Sequence, residues 1–126
     1  MGSSVLAVVD DLLFSSKIRA MADRAGQTVV FSRSRAAVLP DILAHAPRLV
    51  IVDLDRAALD PIATIREIKS RPDLAELKVI GYVSHVHTDL IEDARRAGID
   101  LVLARSAFVT KLPELLAPIP GVVPGI

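Results

Sequence analysis

The chain has 126 residues, of which 52% are hydrophobic and 24% charged, a composition typical of a globular domain and not of a disordered segment. Fifteen Lys and Arg balance fifteen Asp and Glu, so no net charge favours nucleic acid or an anionic membrane as a partner. The absence of cysteine excludes disulfides, thiolate metal ligands and cysteine nucleophiles. No apolar run approaches the roughly 20 residues of a membrane span, and the N-terminus lacks the basic start of a signal peptide, so we expect a cytoplasmic protein.

Five short runs rich in Val and Ile indicate β-strands. They do not alternate strictly between apolar and polar residues, which is typical of strands covered on both faces, as in a parallel sheet. The five runs occupy residues 5–10, 28–31, 49–53, 78–83 and 100–104.

Amphipathic segments between these runs predict helices. The first helix is expected to stop at Gly26, because glycine tolerates the left-handed conformation that often ends a helix. Asp60 and Pro61 predict another helix start, with the aspartate as the cap and the proline at the first helical position. An apolar stripe over residues 90–97 predicts a further helix that closes at Gly98.

Two segments carry an internal proline and are less clear. Pro40, within residues 32–47, would either kink a long helix or open a short one, and Pro113 raises the same alternatives near the C-terminus. Residues 118–126 are too rich in proline and glycine to form a regular element.

The alternation of strands and helices predicts an α/β fold. Five strand-then-helix units favour a doubly wound, five-stranded parallel sheet inside a three-layer αβα sandwich. We expect one domain over residues 1–126, with a core from about 4 to 117 and a tail over 118–126.

Charged and polar residues follow the ends of the predicted strands, where ligands of such folds bind. In chain order they are Asp10 and Asp11 after the first run, Asp53 and Asp55 after the third, Ser84 and His85 after the fourth, and Arg105 and Ser106 after the fifth. Clustered carboxylates repel one another, and a hard divalent cation such as Mg²⁺ resolves that conflict. A hydroxyl and a guanidinium are suitable donors to phosphoryl oxygens, so the pattern predicts a cation-assisted phosphoryl or anion site.

Three stretches carry a family resemblance. "VVDD" ending at Asp11, "LVIVDLD" around Asp53 and "AGIDLVLARSAF" around Arg105 resemble the receiver domain of two-component response regulators. The resemblance covers nearly the whole chain, from Val5 to about Leu116. It implies the flavodoxin-like arrangement of the sheet that receivers share, a signalling role and no enzymatic activity of its own.

The resemblance also implies residue roles. Asp53 would accept a phosphoryl group from a histidine kinase, a phosphotransfer protein or a small phosphodonor, and signal to a downstream protein partner, with no nucleic acid or membrane involved. Ser84 and Arg105 would bind the phosphoryl oxygens. The implied Mg²⁺ ligands are Asp10, Asp11, Asp53 and the backbone carbonyl of Asp55. The oligomeric state is left open.

The sequence departs from the receiver pattern around the site. Arg105 stands where the family has lysine, and it is longer and planar. Ser106, which the resemblance places at the rim of the pocket in the turn after the last strand, replaces a proline, and this removes the usual reason for a cis peptide bond there. His85 follows the switch serine, where a small residue is usual, and could narrow access to Asp53 or pair with Asp55.

Alternatives to a phosphorylated receiver remain at this point. The chain could be a pseudo-receiver that binds partners without phosphorylation, or a small aspartyl-phosphate phosphohydrolase with Asp55 as the acid/base. One of the two aspartates Asp10 and Asp11 is expected to cap the following helix. The pair formed by His85 and His87 has the spacing of metal ligands but lacks a third ligand nearby.

Overall fold

The computed structural model describes residues 4–84 and 88–117. Strands and helices alternate along them, and short 3₁₀ turns occupy Ala57–Leu59 and Pro72–Leu74. Within these ranges no helix combines the length and the apolar character that crossing a bilayer requires. The elements are β1 (Ser4–Val8), α1 (Leu12–Arg24), β2 (Thr28–Phe31), α2 (Arg35–His45), β3 (Leu49–Asp53), α3 (Pro61–Lys69), β4 (Lys78–Val83), α4 (Thr88–Ala97), β5 (Leu101–Ala104) and α5 (Arg105–Leu115).

The five strands form one sheet in the order β2-β1-β3-β4-β5, and every neighbouring pair is parallel. This arrangement confirms the predicted doubly wound fold. The direction in which the chain adds strands reverses between β1 and β3. In open α/β sheets the ligand crevice lies at such a reversal, beyond the carboxyl ends of the strands.

The side chains of β3 alternate between two apolar layers. Val50 and Val52 pack with residues of α2, α3 and α4, whereas Leu49 and Ile51 pack with residues of α1 and α5. All five residues of β3 are buried, which explains why its sequence is continuously apolar up to the aspartate. By the same alternation, Asp53 lies on the side of α1 and α5.

The predicted helix stops are confirmed, but one predicted cap is wrong. Gly26 follows α1 with a φ of +69°, and Gly98 follows α4 with a φ of +103°. Asp60 precedes α3, yet its side chain makes no capping hydrogen bond. Its φ of 45° is left-handed, whereas side chains that cap a helix need an extended backbone, and its carboxylate instead pairs with Arg35 at 3.2 Å.

Both doubtful prolines lie inside helices. Pro40 is within α2 and Pro113 is within α5, so neither opens a short helix. Both prolines are exposed, and each removes one backbone donor from its helix.

Two strand bounds differ from the prediction. β1 ends at Val8 and not at residue 10, because its last registered partner in the sheet is Val52. β5 begins at Leu101 and not at residue 100. Asp100 donates its backbone N–H to the carbonyl of Val79 at 3.0 Å, and its carboxylate accepts the N–H of Val79 at 2.8 Å. The same carboxylate oxygen lies 2.8 Å from Lys69 Nζ.

Gly81 tests the packing between β4 and its neighbours. A Cβ atom at this position would lie 2.8 Å from Leu54 Cδ1 and 2.8 Å from Ile99 Cδ1. We expect Gly81→Ala to lower the free energy of unfolding by about 1–3 kcal/mol, as overpacking of a core does, measured by urea denaturation. The double variant with Leu54→Val, which removes one of the contacting carbons, should recover part of this loss. A Gly81→Ala protein as stable as the wild type would contradict this account of the packing.

Candidate functional site

A cavity of about 370 Å³ opens at the carboxyl ends of β1 and β3, where the order of the strands reverses. It brings together four carboxylates and two guanidinium groups from well-separated parts of the sequence. The described residues that line it are Asp10, Asp11, Asp53, Asp55, Arg56 and Arg105. The polar residues at the strand ends predict that the aspartates and Arg105 meet here, whereas Arg56 was not predicted as a residue of the site.

Asp53 is the most deeply placed carboxylate of the cavity. It ends β3 and is 3% exposed, and its Oδ1 accepts the N–H of Asp55 at 2.9 Å. Burial raises the pKa of Asp53 above its usual range. The hydrogen bond from Asp55 and the positive charge of Arg105 oppose that rise, while the negative charges of Asp55 and Asp10 add to it. The protein therefore holds a poorly solvated carboxylate at the centre of the site.

Asp11 fixes the start of α1. Its backbone is extended, and its Oδ1 accepts the N–H groups of Leu13 at 2.9 Å and Phe14 at 3.2 Å. This confirms that one of the two adjacent aspartates caps the helix. The other carboxylate oxygen of Asp11 accepts no hydrogen bond from the described residues, so it stays available to a ligand.

Asp10 is engaged by Arg56. The Arg56 Nε atom lies 3.0 Å from Asp10 Oδ1 and 3.0 Å from Asp10 Oδ2. The pair joins the end of β1 to the loop that follows β3. Arg56 directly follows Asp55 in the sequence. A basic residue so close to the predicted carboxylates was the signal from which this contact could have been predicted.

Asp55 connects the loop after β3 to the end of β4. Its Oδ2 accepts the backbone N–H of Ser84, and the Ser84 side chain is exposed and is not among the residues that line the cavity. The acid/base role considered for Asp55 would compete with this hydrogen bond. His85, with its predicted position at the rim and its predicted pairing with Asp55, lies outside the described residues, as does His87.

Arg105 is held by aromatic rings. It is the first residue of α5, and its Cζ lies 4.7 Å from the ring centroid of Phe14 and 5.5 Å from that of Tyr82. Its buried Nε has no hydrogen-bond partner among the described residues. Cation–π contacts therefore hold the guanidinium in place, and this leaves its positive charge facing the carboxylates.

Tyr82 completes the aromatic layer beneath the cavity. Its ring lies 4.7 Å from that of Phe14 and 4.8 Å from that of Phe108, and it pairs in register with Asp53. Burial and the nearby charge of Asp53 raise the pKa of Tyr82, although Arg105 acts in the opposite direction. The buried hydroxyl makes no well-formed hydrogen bond to any described residue. This layer, which the sequence prediction missed, uses three of the four aromatic residues of the chain.

Ser106 lies away from the cavity. It is the second residue of α5, is exposed, and accepts a hydrogen bond from Thr110 Oγ1 through its carbonyl at 3.1 Å. The helix begins directly at Arg105, so no loop brings Ser106 back to the rim. No peptide bond in residues 4–84 and 88–117 is cis, as expected from serine at this position.

The carboxylates of the cavity suit a divalent cation by their chemical type. Their oxygens are the ligands that Mg²⁺ prefers, and Asp53 and Asp11 each keep one oxygen that accepts no hydrogen bond from the described residues. No three acidic or histidine side chains in the described ranges are arranged to hold a metal ion as they stand. The residues therefore fit Mg²⁺ by type, and one of them, Asp10, is paired with Arg56.

The raised pKa of Asp53 has a consequence for stability. The folded protein binds a proton at Asp53 more readily than the unfolded chain does, so ionised Asp53 destabilises the fold once the pH rises above the ordinary aspartate value of about 3.9. Asn keeps an oxygen for the N–H of Asp55 but carries no charge. Asp53→Asn should therefore be more stable than the wild type at pH 7, with a gap that narrows as the pH falls towards about 4.

Urea denaturation at a series of pH values measures this gap. Asp73 is the control, because its hydrogen bond with Arg71 lowers its pKa, and Asp73→Asn should give no gain in stability at pH 7. A loss of stability in Asp53→Asn at neutral pH would contradict the assignment of Asp53 as a poorly solvated charge.

Neither a protein-family model nor a curated protein matches the chain. Several solved structures, however, are similar to it. The phosphorylated cyanobacterial phytochrome response regulator RcpA is similar with a TM-score of 0.77 and 20% identity, over 92% of this chain and 89% of that one. The Mn²⁺-bound response regulator Rcp1 is similar with a TM-score of 0.73 and 18% identity, over 90% of this chain and 88% of that one.

A chemotaxis protein, CheY4 of Vibrio cholerae, is similar with a TM-score of 0.81 and 13% identity, over 92% of this chain and 97% of that one. TM-scores of this size show a shared architecture, and the order of the strands in the sheet agrees with it. The chain has the receiver fold of response regulators.

Proposed function

We propose that this chain is a receiver that accepts a phosphoryl group on Asp53 and passes the signal to a protein partner. One observation carries the proposal. Asp53 lies buried at the carboxyl end of a central strand, in a cavity where Asp10 and Asp11 arrive from the neighbouring strand and Arg105 supplies a fixed positive charge. This combination offers a nucleophile, ligands for a divalent cation and a donor to phosphoryl oxygens at one point.

The transfer step follows from these groups. An oxygen of Asp53 attacks the phosphorus of a phosphohistidine on a histidine kinase or phosphotransfer protein, or of a small acyl phosphate. The new P–O bond forms as the bond to the donor breaks, and the donor leaves with the electron pair. Asp10, Asp11 and the carbonyl of Asp55 would hold Mg²⁺, which supplies positive charge to the phosphoryl oxygens when bound. Arg105 donates to another of these oxygens from its place over the rings.

The signal would leave through the loop after β4. The exposed hydroxyl of Ser84 can turn towards a phosphoryl oxygen on Asp53, and the backbone of the same residue is already hydrogen-bonded to Asp55. New charge-assisted hydrogen bonds of this kind shift a two-state segment. The next element in the chain is α4, and we place the downstream partner on the face formed by α4, β5 and α5.

Two similar structures support the proposal through what their names state. RcpA is described in a phosphorylated form and Rcp1 in a Mn²⁺-bound form. Both share the receiver architecture with this chain. Phosphorylation and divalent cation binding are therefore activities that this fold accommodates, and the acidic cavity offers suitable groups for them here.

Incubation with a small phosphodonor and Mg²⁺ tests the proposal. Acetyl phosphate should add the mass of one phosphoryl group to the wild type, measured on the intact protein by mass spectrometry. Asp53→Asn should show no adduct, because the amide is not a nucleophile for phosphorus. Asp73→Asn, a matched change at an exposed and distant aspartate, should be phosphorylated as the wild type is.

Beryllofluoride gives an independent measurement. As a phosphoryl mimic it should change the fluorescence of Tyr82, the single tyrosine in a chain without tryptophan, because the ring contacts Arg105 beneath the site. A wild-type protein that takes neither the phosphoryl group nor the mimic at saturating Mg²⁺ would overturn the proposal.

A second candidate is a pseudo-receiver that binds its partner without phosphorylation. The engagement of Asp10 by Arg56 favours it, since this pair ties up a carboxylate that a phosphoryl site would use for its cation. On this hypothesis Asp53→Ala leaves partner binding unchanged, whereas charge reversal at the exposed α4 residues Arg95 or Arg96 weakens it. Equal loss of binding in the Asp53 and α4 variants would count against this candidate.

A further inference from the structure

We infer that Arg56 acts as a built-in counter-cation that competes with the divalent cation for Asp10. Breaking the Arg56–Asp10 pair is then part of metal binding, and the strength of the pair sets the Mg²⁺ concentration at which the site fills. The inference rests on the proposed function, because it concerns how the same site is loaded.

The contact covers the part of Asp10 that a metal would use. Arg56 Nε lies 3.0 Å from both carboxylate oxygens of Asp10, so it sits in front of the carboxylate edge and not beside one oxygen. Both residues line the cavity. Mg²⁺ approaches its ligand oxygens to about 2 Å, which leaves no room for a guanidinium nitrogen at the same edge. The two cations therefore exclude each other at Asp10.

The charge balance of the cavity explains why a cation is needed there. Four carboxylates and two guanidinium groups line it, which leaves a formal excess of two negative charges. Asp10 is one of the neighbours whose charge raises the pKa of Asp53. With Arg56 in place, the charge of Asp10 is partly neutralised before any metal arrives.

The two arginines of the cavity are held in different ways. Arg105 lies over two aromatic rings and has a buried Nε, so it is fixed in place. The Arg56 side chain is 55% exposed and stacks on no ring of the described residues, whereas that of Asp10 is 22% exposed. Exposed ion pairs are weak, so Arg56 can swing into solvent when a stronger competitor binds.

Mg²⁺ titration of three proteins tests the competition. Isothermal calorimetry without any phosphodonor should show that Arg56→Gln binds Mg²⁺ about twofold to fivefold more tightly than the wild type, the factor that loss of an ordinary exposed ion pair implies. Arg71→Gln is the matched control. It removes the same charge and a comparable pair, with Asp73, outside the cavity, and it should leave the Mg²⁺ affinity unchanged.

A spectroscopic measurement separates direct exchange from a general effect of charge. In protein labelled with ¹⁵N-arginine, Mg²⁺ should move the Arg56 Nε resonance of the wild type towards that of a solvated arginine. Asp10→Asn should produce the same shift without metal. If Mg²⁺ saturates the wild type while the Arg56 resonance stays in place, the competition does not exist.

The outcomes also separate this inference from the proposed function. An unchanged or weaker Mg²⁺ affinity in Arg56→Gln, with normal phosphorylation of the wild type on Asp53, overturns the role of Arg56 alone. If neither the wild type nor Arg56→Gln binds Mg²⁺, the competition and the metal-assisted part of the proposed function both fail.

Discussion

The burial of Asp53 is the constraint on which the rest of the site depends. A strand covered on both faces ends in this carboxylate, which is 3% exposed and therefore poorly solvated. Burial of a charge is unfavourable unless neighbouring groups compensate for it, and here the N–H of Asp55 and the guanidinium of Arg105 do so in part. The compensation is incomplete, since the pKa of Asp53 remains raised. The burial of Asp53 destabilises the fold at neutral pH, and it also leaves the carboxylate poorly solvated and therefore accessible to a reacting group without the loss of a full hydration shell.

The surrounding positive charges divide into a fixed one and an exchangeable one. Arg105 belongs to the aromatic layer, and moving it would expose the faces of Phe14 and Tyr82. Arg56 belongs to a loop and reaches Asp10 from solvent. If all the positive charges of the site were fixed in place, little affinity for a metal ion would remain. If the site had no positive charge, several carboxylates would repel one another. One cation of each kind avoids both extremes.

Much of the fold and of the site was predictable because local sequence determines it. Continuous Val and Ile runs identify parallel strands, and the parallel arrangement itself brings Asp10, Asp11, Asp53 and Arg105 to one edge. What sequence missed depends on geometry between elements. The stacking of Arg105 needs rings from α1 and β4, and the contact of Arg56 depends on the path of a loop. Asp60 could have adopted either an extended or a left-handed backbone, because aspartate tolerates both. Ser106 was expected at the rim on the assumption of a turn after β5, but α5 starts at Arg105.

Asp55 shows how a change at Asp53 can reach the surface. Its backbone N–H donates to Asp53 Oδ1, and its own carboxylate accepts the N–H of Ser84, so one residue joins the ends of β3 and β4. A phosphoryl group on Asp53 would alter the first bond, because it changes the charge and the oxygen that the N–H of Asp55 faces. The same phosphoryl group would attract the Ser84 hydroxyl and so strain the second bond. Asp55 takes part in both bonds, so phosphorylation of Asp53 would change the hydrogen bonds at the ends of β3 and β4 together.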